Sequence, residues 1–107
     1  MDLVCSLALI GSTPVLQVSG EIDLATLPYF RDQLLRAVSL HGGATLFVDL
    51  DGVTTLDDTG LGMLLGTAGR AREQGGDVVV VSNNERLLER FELTRLDRAL
   101  EIRHNIS

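Results

Sequence analysis

ATLFVDLDGVTTLDDTGLGMLLGTAGRAREQGGDVVVV, residues 44–81, is the stretch that decides the fold. Two continuous apolar runs bracket it, 44–50 (ATLFVDL) and 77–81 (DVVVV). Such runs are what parallel strands covered on both faces require. Between them, 60–74 places Leu61, Leu64, Leu65 and Ala68 on one helical face, and Gly75-Gly76 ends the helix. Strand, helix and strand in this order imply a right-handed crossover between parallel strands.

Working outward, residues 3–10 (LVCSLALI) and 15–19 (VLQVS) are strand-like and separated by the turn cluster Gly11-Ser12-Thr13-Pro14, which predicts an antiparallel hairpin. Residues 26–40 carry Leu27, Phe30, Leu34 and Val38 at helical spacing, with Pro28 tolerated in the first turn and Thr26 or Asp23 as the cap. A shorter helix is expected at 84–92, with Leu87, Leu88 and Phe91 inward and Asn83 or Asn84 capping it. The tail, 99–103, reads as a last strand. The whole predicts an α/β fold: a mixed β-sheet with an N-terminal antiparallel hairpin, βαβ crossovers and helices packed on the sheet. A length of 107 residues suits one domain, 1–107.

Composition narrows the function classes. The net charge of −6, with nine Arg and no Lys, disfavours a nucleic-acid partner, because phosphate neutralisation needs a basic surface. No apolar run approaches the roughly 20 residues of a membrane span. The first sixteen residues lack the basic start of a signal peptide, so a cytoplasmic location is expected. Cys5 is the lone cysteine, which excludes an internal disulfide and reads as a small apolar strand residue.

The segment Asp57-Asp58-Thr59-Gly60-Leu61-Gly62-Met63-Leu64-Leu65-Gly66 carries the functional signal. A glycine costs about 1 kcal/mol relative to alanine inside a helix, so Gly60, Gly62 and Gly66 are a poor choice for stability alone. At 100° per residue, Thr59, Gly62, Met63, Gly66 and Arg70 form one stripe opposite the leucines. That stripe is smooth, with one protruding methionine and a hydroxyl at its N-terminal end. Two readings stay open: a partner approaches this face closely, or the glycines pack within the fold and Thr59 is an N-cap. A phosphate on Thr59 would face free N–H groups and the positive end of the helix dipole. It would also add about −1.5 to −2 charges beside Asp57 and Asp58.

These residues resemble those of STAS domains, the sulfate transporter and anti-sigma factor antagonist family. Gly20-Glu21-Ile22-Asp23, placed after the second strand, resembles the family's G-E-[LI]-D motif. Val48-Asp49-Leu50 through Val53 resembles its third strand and following loop. Asp57 to Gly62 resembles its D-S-[ST]-G-[LI]-G phosphorylation loop. The resemblance spans nearly the whole chain. It implies an anti-sigma factor antagonist that binds an anti-sigma factor which is also a serine/threonine kinase, is released by phosphorylation, and is reset by a phosphatase. Thr59 then takes the phosphoacceptor position. Asp23, Asp57, Asp58, Gly60, Gly62, Met63 and Gly66 form the expected partner contact. Two departures stand out: threonine replaces the commoner serine, and Asp58 replaces a small hydroxyl residue. Asp58 either weakens kinase recognition or partly imitates the modified state.

Other chemistries fit less well. Asp49, Asp51, Asp57 and Asp58 lack calcium-loop spacing, so no metal is expected. A phospho-aspartate receiver uses a lysine, and the chain has none. His41 and His104 have no nucleophile constellation around them, and Gly60-x-Gly62 is no dinucleotide fingerprint, so neither catalysis nor a cofactor is expected. Arg86, Arg90, Arg95 and Arg98 interleave with Glu85, Glu89, Glu92 and Asp97, either as pairs on an exposed helix face or, less in keeping with the spacing, to orient a partner. The rival from another class is a non-switching STAS subunit of a membrane transport complex, with the same helix face held permanently by its partner.

Overall fold

The hairpin comes first. A computed structural model describes residues 2–106, so the expected span of 1–107 reaches one residue beyond it at each end. β1 (Leu3–Ile10) and β2 (Thr13–Ile22) pair antiparallel across a two-residue loop, with Ile10 opposite Thr13. Gly11 takes the positive φ of 64° that such a loop favours at its first position. Thr13 and Pro14 therefore belong to β2 and not to the turn. β2 also continues through Gly20-Glu21-Ile22, so the first motif completes the strand instead of following it.

α1 (Leu27–Leu40), β3 (Thr45–Leu56), α2 (Asp58–Glu73), β4 (Asp77–Val81) and α3 (Glu85–Leu93) follow, then a 3-10 turn at Leu96–Arg98 and β5 (Glu101–Arg103). The sheet order is β1-β2-β3-β4-β5, and every pair after the first is parallel. Each crossover steps one strand further in the same direction. A constant right-handed crossover then puts all three helices on one face.

Packing agrees. Leu16, Val48, Leu50, Val78 and Val80 of the sheet share one buried cluster with Phe30 and Leu34 of α1, Leu61 and Leu64 of α2, and Leu87 and Phe91 of α3. Each such fully buried side chain contributes roughly 1.5–3 kcal/mol. The alternate residues Val15, Phe47, Val79 and Val81 form a small second cluster, against which Ile106 of the tail packs. Arg103 lies over the Phe47 ring, 5.4 Å from its centroid. The apolar runs of β3 and β4 are thus buried on both faces, by the helices on one side and, on the other, with Arg103 and Ile106 packed against the second cluster.

β3 runs six residues beyond the predicted 44–50. Its second half pairs with Ser19–Ile22 of β2 through two register irregularities, and Val53 and Leu56 are buried. Those bulges break the alternation that marks a strand in sequence. At the hairpin's far end Gly20 has φ 112°, and an added Cβ there would stand 1.8 Å from the Asp2 carbonyl oxygen, so no other residue fits without rebuilding the strand. Cys5 is half-buried against the core, and burial pushes its thiol up to about 11, which suits an inert residue. Its backbone N–H donates to the Tyr29 hydroxyl at 3.2 Å, occupying one group on the exposed edge of β1.

Candidate functional site

Ile22 ends β2 opposite Leu56, which ends β3. The loops that begin at Asp23 and Asp57 therefore leave the sheet side by side. This parallel register is what brings Asp23 and Asp57, 34 residues apart in sequence, to one edge.

Each loop is tied down by its aspartate. Asp23 Oδ1 accepts from the backbone N–H of Ala25 at 3.0 Å and of Thr26 at 3.1 Å. The Thr26 hydroxyl donates to the Glu21 carbonyl at 2.7 Å and accepts from the Asp23 N–H at 3.0 Å. Thr26 occupies the N-cap position of α1 without a side-chain cap bond, so Asp23 braces the turn ahead of the helix. The intervening Leu24 is 73% exposed.

Asp57 is the N-cap of α2, with extended backbone at φ −87° and ψ 176°. Its Oδ1 accepts from the Gly60 N–H at 3.1 Å and from the Thr59 hydroxyl at 2.6 Å. Thr59 is thus one residue inside the helix, which corrects its reading as the N-cap. The Thr59 hydroxyl first, and the Gly60 N–H after it, hold the Asp57 carboxyl below the usual carboxylate range. Asp58 lies in the first turn, where a negative charge meets the positive end of the helix dipole.

The buried side of α2 is Gly60, Leu61, Leu64, Thr67, Ala68 and Ala71. The Thr67 hydroxyl is satisfied by the Met63 carbonyl at 2.8 Å. Thr59, Gly62, Gly66 and Arg70 are exposed, and Met63 is half-buried against the edge of the core. The glycines divide into two kinds. A Cβ on Gly60 would meet Leu56 Cδ1 at 2.6 Å and Ile22 Cγ2 at 2.8 Å, whereas one on Gly62 or Gly66 would meet nothing within 4 Å. Gly60 is therefore a packing glycine, and its assignment to the outer contact face is corrected. Gly62 and Gly66 serve no contact inside the fold. Leu65 also differs from expectation, being 39% exposed on the outer side.

Two residues at this edge escaped the sequence reading. Leu24 carries no periodic signal, and only its position directly after the Gly20–Asp23 motif marks it. Arg90 was expected to pair with a glutamate along its own helix. Instead its guanidinium reaches from α3 to Asp58 Oδ1 at 2.7 Å, and it helps lower the Asp57 carboxyl. The other acids are spoken for as well. Asp51 accepts from the Asn83 N–H at 2.6 Å, and Asp49 accepts from the Asp51 N–H at 2.9 Å. Among the described residues no group of three or more His, Cys, Asp or Glu is arranged to hold a metal ion. No described helix is long and apolar enough to cross a membrane.

Comparison with known proteins places this arrangement. Residues 5–103 match the family described as Mlab, STAS domain. The chain is 34% identical over 85 residues to the anti-sigma-B factor antagonist of Bacillus subtilis (strain 168), covering 79% of this chain and 76% of that protein. It is 33% identical over 87 residues to the anti-sigma-B factor antagonist of Listeria monocytogenes, covering 81% and 75%. A crystal structure of an anti-sigma factor antagonist from Mycobacterium paratuberculosis superposes with a TM-score of 0.88 at 26% identity, over 97% of this chain and 87% of that one. Motifs, sheet order and these likenesses agree, and the chain belongs to the STAS domain family, among relatives that are anti-sigma factor antagonists.

Proposed function

We propose that this chain is an anti-sigma factor antagonist of the cytoplasm, acting by binding and not by catalysis. It captures an anti-sigma factor that is also a serine/threonine kinase, and phosphorylation at Thr59 switches it off. One observation carries the reading above others: the Thr59 hydroxyl is exposed at the head of a bare helix face, with its oxygen fixed by Asp57 at 2.6 Å. Gly62 and Gly66 let a partner's backbone come close, while Met63 and Leu24 supply apolar contact. Asp23 and Asp57 act indirectly by holding the two loops in shape.

Transfer of the γ-phosphoryl group from ATP forms the Oγ1–P bond on Thr59, releases ADP, and passes the hydroxyl proton to the kinase. Thr59 then has no proton to donate, so its bond to Asp57 is lost. The new dianion faces Asp57 and Asp58, and about −1.5 to −2 charges stand where the partner must desolvate the surface. Removing such a charge from water at an interface costs several kcal/mol, enough to release a partner. Removal of the phosphate by a phosphatase restores the first state. The curated relatives, named for antagonism of an anti-sigma factor, favour this switch over a permanent transport subunit.

The test is incubation with ATP and candidate anti-sigma kinases, followed by mass mapping. Phosphate on Thr59, and none on Thr59→Ala, supports the switch. Modification only at another residue overturns it.

A further inference from the structure

Asp58 is a permanent charge beside the acceptor, and the structure shows what offsets it. Arg90 reaches across from α3 and bonds Asp58 Oδ1 at 2.7 Å, although the Asp58 side chain is 84% exposed. An ion pair this open holds weakly, so it can be given up when a better acceptor arrives. Arg90 also acts electrostatically on Asp57, whose carboxylate touches the Thr59 hydroxyl. One guanidinium therefore bonds Asp58 and acts on Asp57, the two carboxylates that flank the acceptor on its N-terminal side.

We propose that Arg90 is the counter-ion of the switch: it neutralises Asp58 while Thr59 is free and transfers to the phosphate once Thr59 carries one. The inference rests on Thr59 being the phosphoacceptor and adds a residue and a regulatory step to that reading. In the unmodified chain Asp58 and Arg90 cancel, so Asp58 does not imitate phosphorylation. After modification the phosphate offers three acceptor oxygens and a larger charge than one carboxylate, and guanidinium binds such a group by paired hydrogen bonds. Asp58 is then left unpaired, so the added charge is spread over Asp58 and the phosphate while its total stays that of the phosphate. The charged groups at this edge are Asp57 and Asp58 from the head of α2, Arg90 from α3 and Asp23 from the adjacent loop after β2.

The experiment needs no kinase, which separates its failure from failure of the acceptor assignment. Phosphothreonine is installed at position 59 during synthesis, in the otherwise native chain and in Arg90→Gln and Asp58→Asn variants. The second ionisation of the phosphate, near pH 6 for a free group, is followed by phosphorus NMR against pH. Folding of each protein is checked by circular dichroism. If Arg90 holds the phosphate, Arg90→Gln raises that pKa by about half a unit or more relative to the native phosphoprotein, because a neighbouring cation favours the dianion. Asp58→Asn lowers it, since Arg90 loses its competing partner and the phosphate loses a like charge. A phosphate pKa unchanged by Arg90→Gln in a folded protein overturns the proposal, whether or not a kinase later proves to modify Thr59.

Discussion

Replacing both Gly62 and Gly66 by alanine is expected to make the protein more stable and less able to bind. Both positions lie within α2 on its exposed side, and an added Cβ meets nothing within 4 Å at either. No steric cost offsets the gain in helix propensity, about 1 kcal/mol for each substitution. The two positions open to solvent one turn apart, and the two propensity gains together amount to about 2 kcal/mol. With a urea dependence of about 1–3 kcal/mol per molar for a small protein, the unfolding midpoint rises by roughly 1 M. Gly60→Ala is the internal control. Its Cβ would press on Leu56 and on the stiff branch of Ile22, an overpacking that costs about 1–3 kcal/mol and cancels or exceeds the same propensity gain. Urea unfolding followed by circular dichroism reads all three proteins. A Gly62→Ala/Gly66→Ala protein no more stable than the native chain would refute the reasoning, because those glycines would then be serving the fold.

Further outcomes follow from the same geometry. Met63→Arg abolishes partner binding while the domain stays folded, losing on the order of 1 kcal/mol for a half-buried side chain; an unfolded protein would assign Met63 to the core. Asp57→Ala removes the cap of α2 and costs about 1 kcal/mol in thermal or urea unfolding. Because its folded-state pKa is lowered, Asp57 contributes stability above the ordinary carboxylate value of about 4, and this is lost as pH falls through the folded pKa. Thr59→Ala removes the largest cause of the lowering, so carbon NMR titration should show the Asp57 pKa rising toward the ordinary value; an unmoved pKa would contradict the hydrogen-bond assignment.

Much of this was legible from residues alone, and the exceptions have physical causes. Continuous apolar strands and the helical spacing in α1 survive folding because burial decides them directly. The second half of β3 was hidden by its bulges and by Gly52, whose added Cβ would stand 2.6 Å from Ser19 Cβ; close backbone approach, not side-chain alternation, holds that stretch. In α2 the buried row runs through Gly60, Leu64, Thr67 and Ala71. Leu65 lies 100° beyond Leu64 and falls outside it, a rotation of the helix that leucine content conceals. That row also takes in Gly60, so its inward role was there to be read from spacing. Arg90 was not. A pair along one helix is worth only about 0.2–0.5 kcal/mol, too little to dictate direction when another helix presents a carboxylate.

The central claim is that charge at Thr59 governs docking on an otherwise accommodating helix face. Its most direct test is calorimetric titration of the anti-sigma partner with the unmodified chain, Thr59→Ala and the Thr59-phosphorylated chain. Unmodified and Thr59→Ala proteins should bind alike, with the phosphorylated form at least about 100-fold weaker, or roughly 2.7 kcal/mol. Equal affinity for the phosphorylated and unmodified chains would contradict the account.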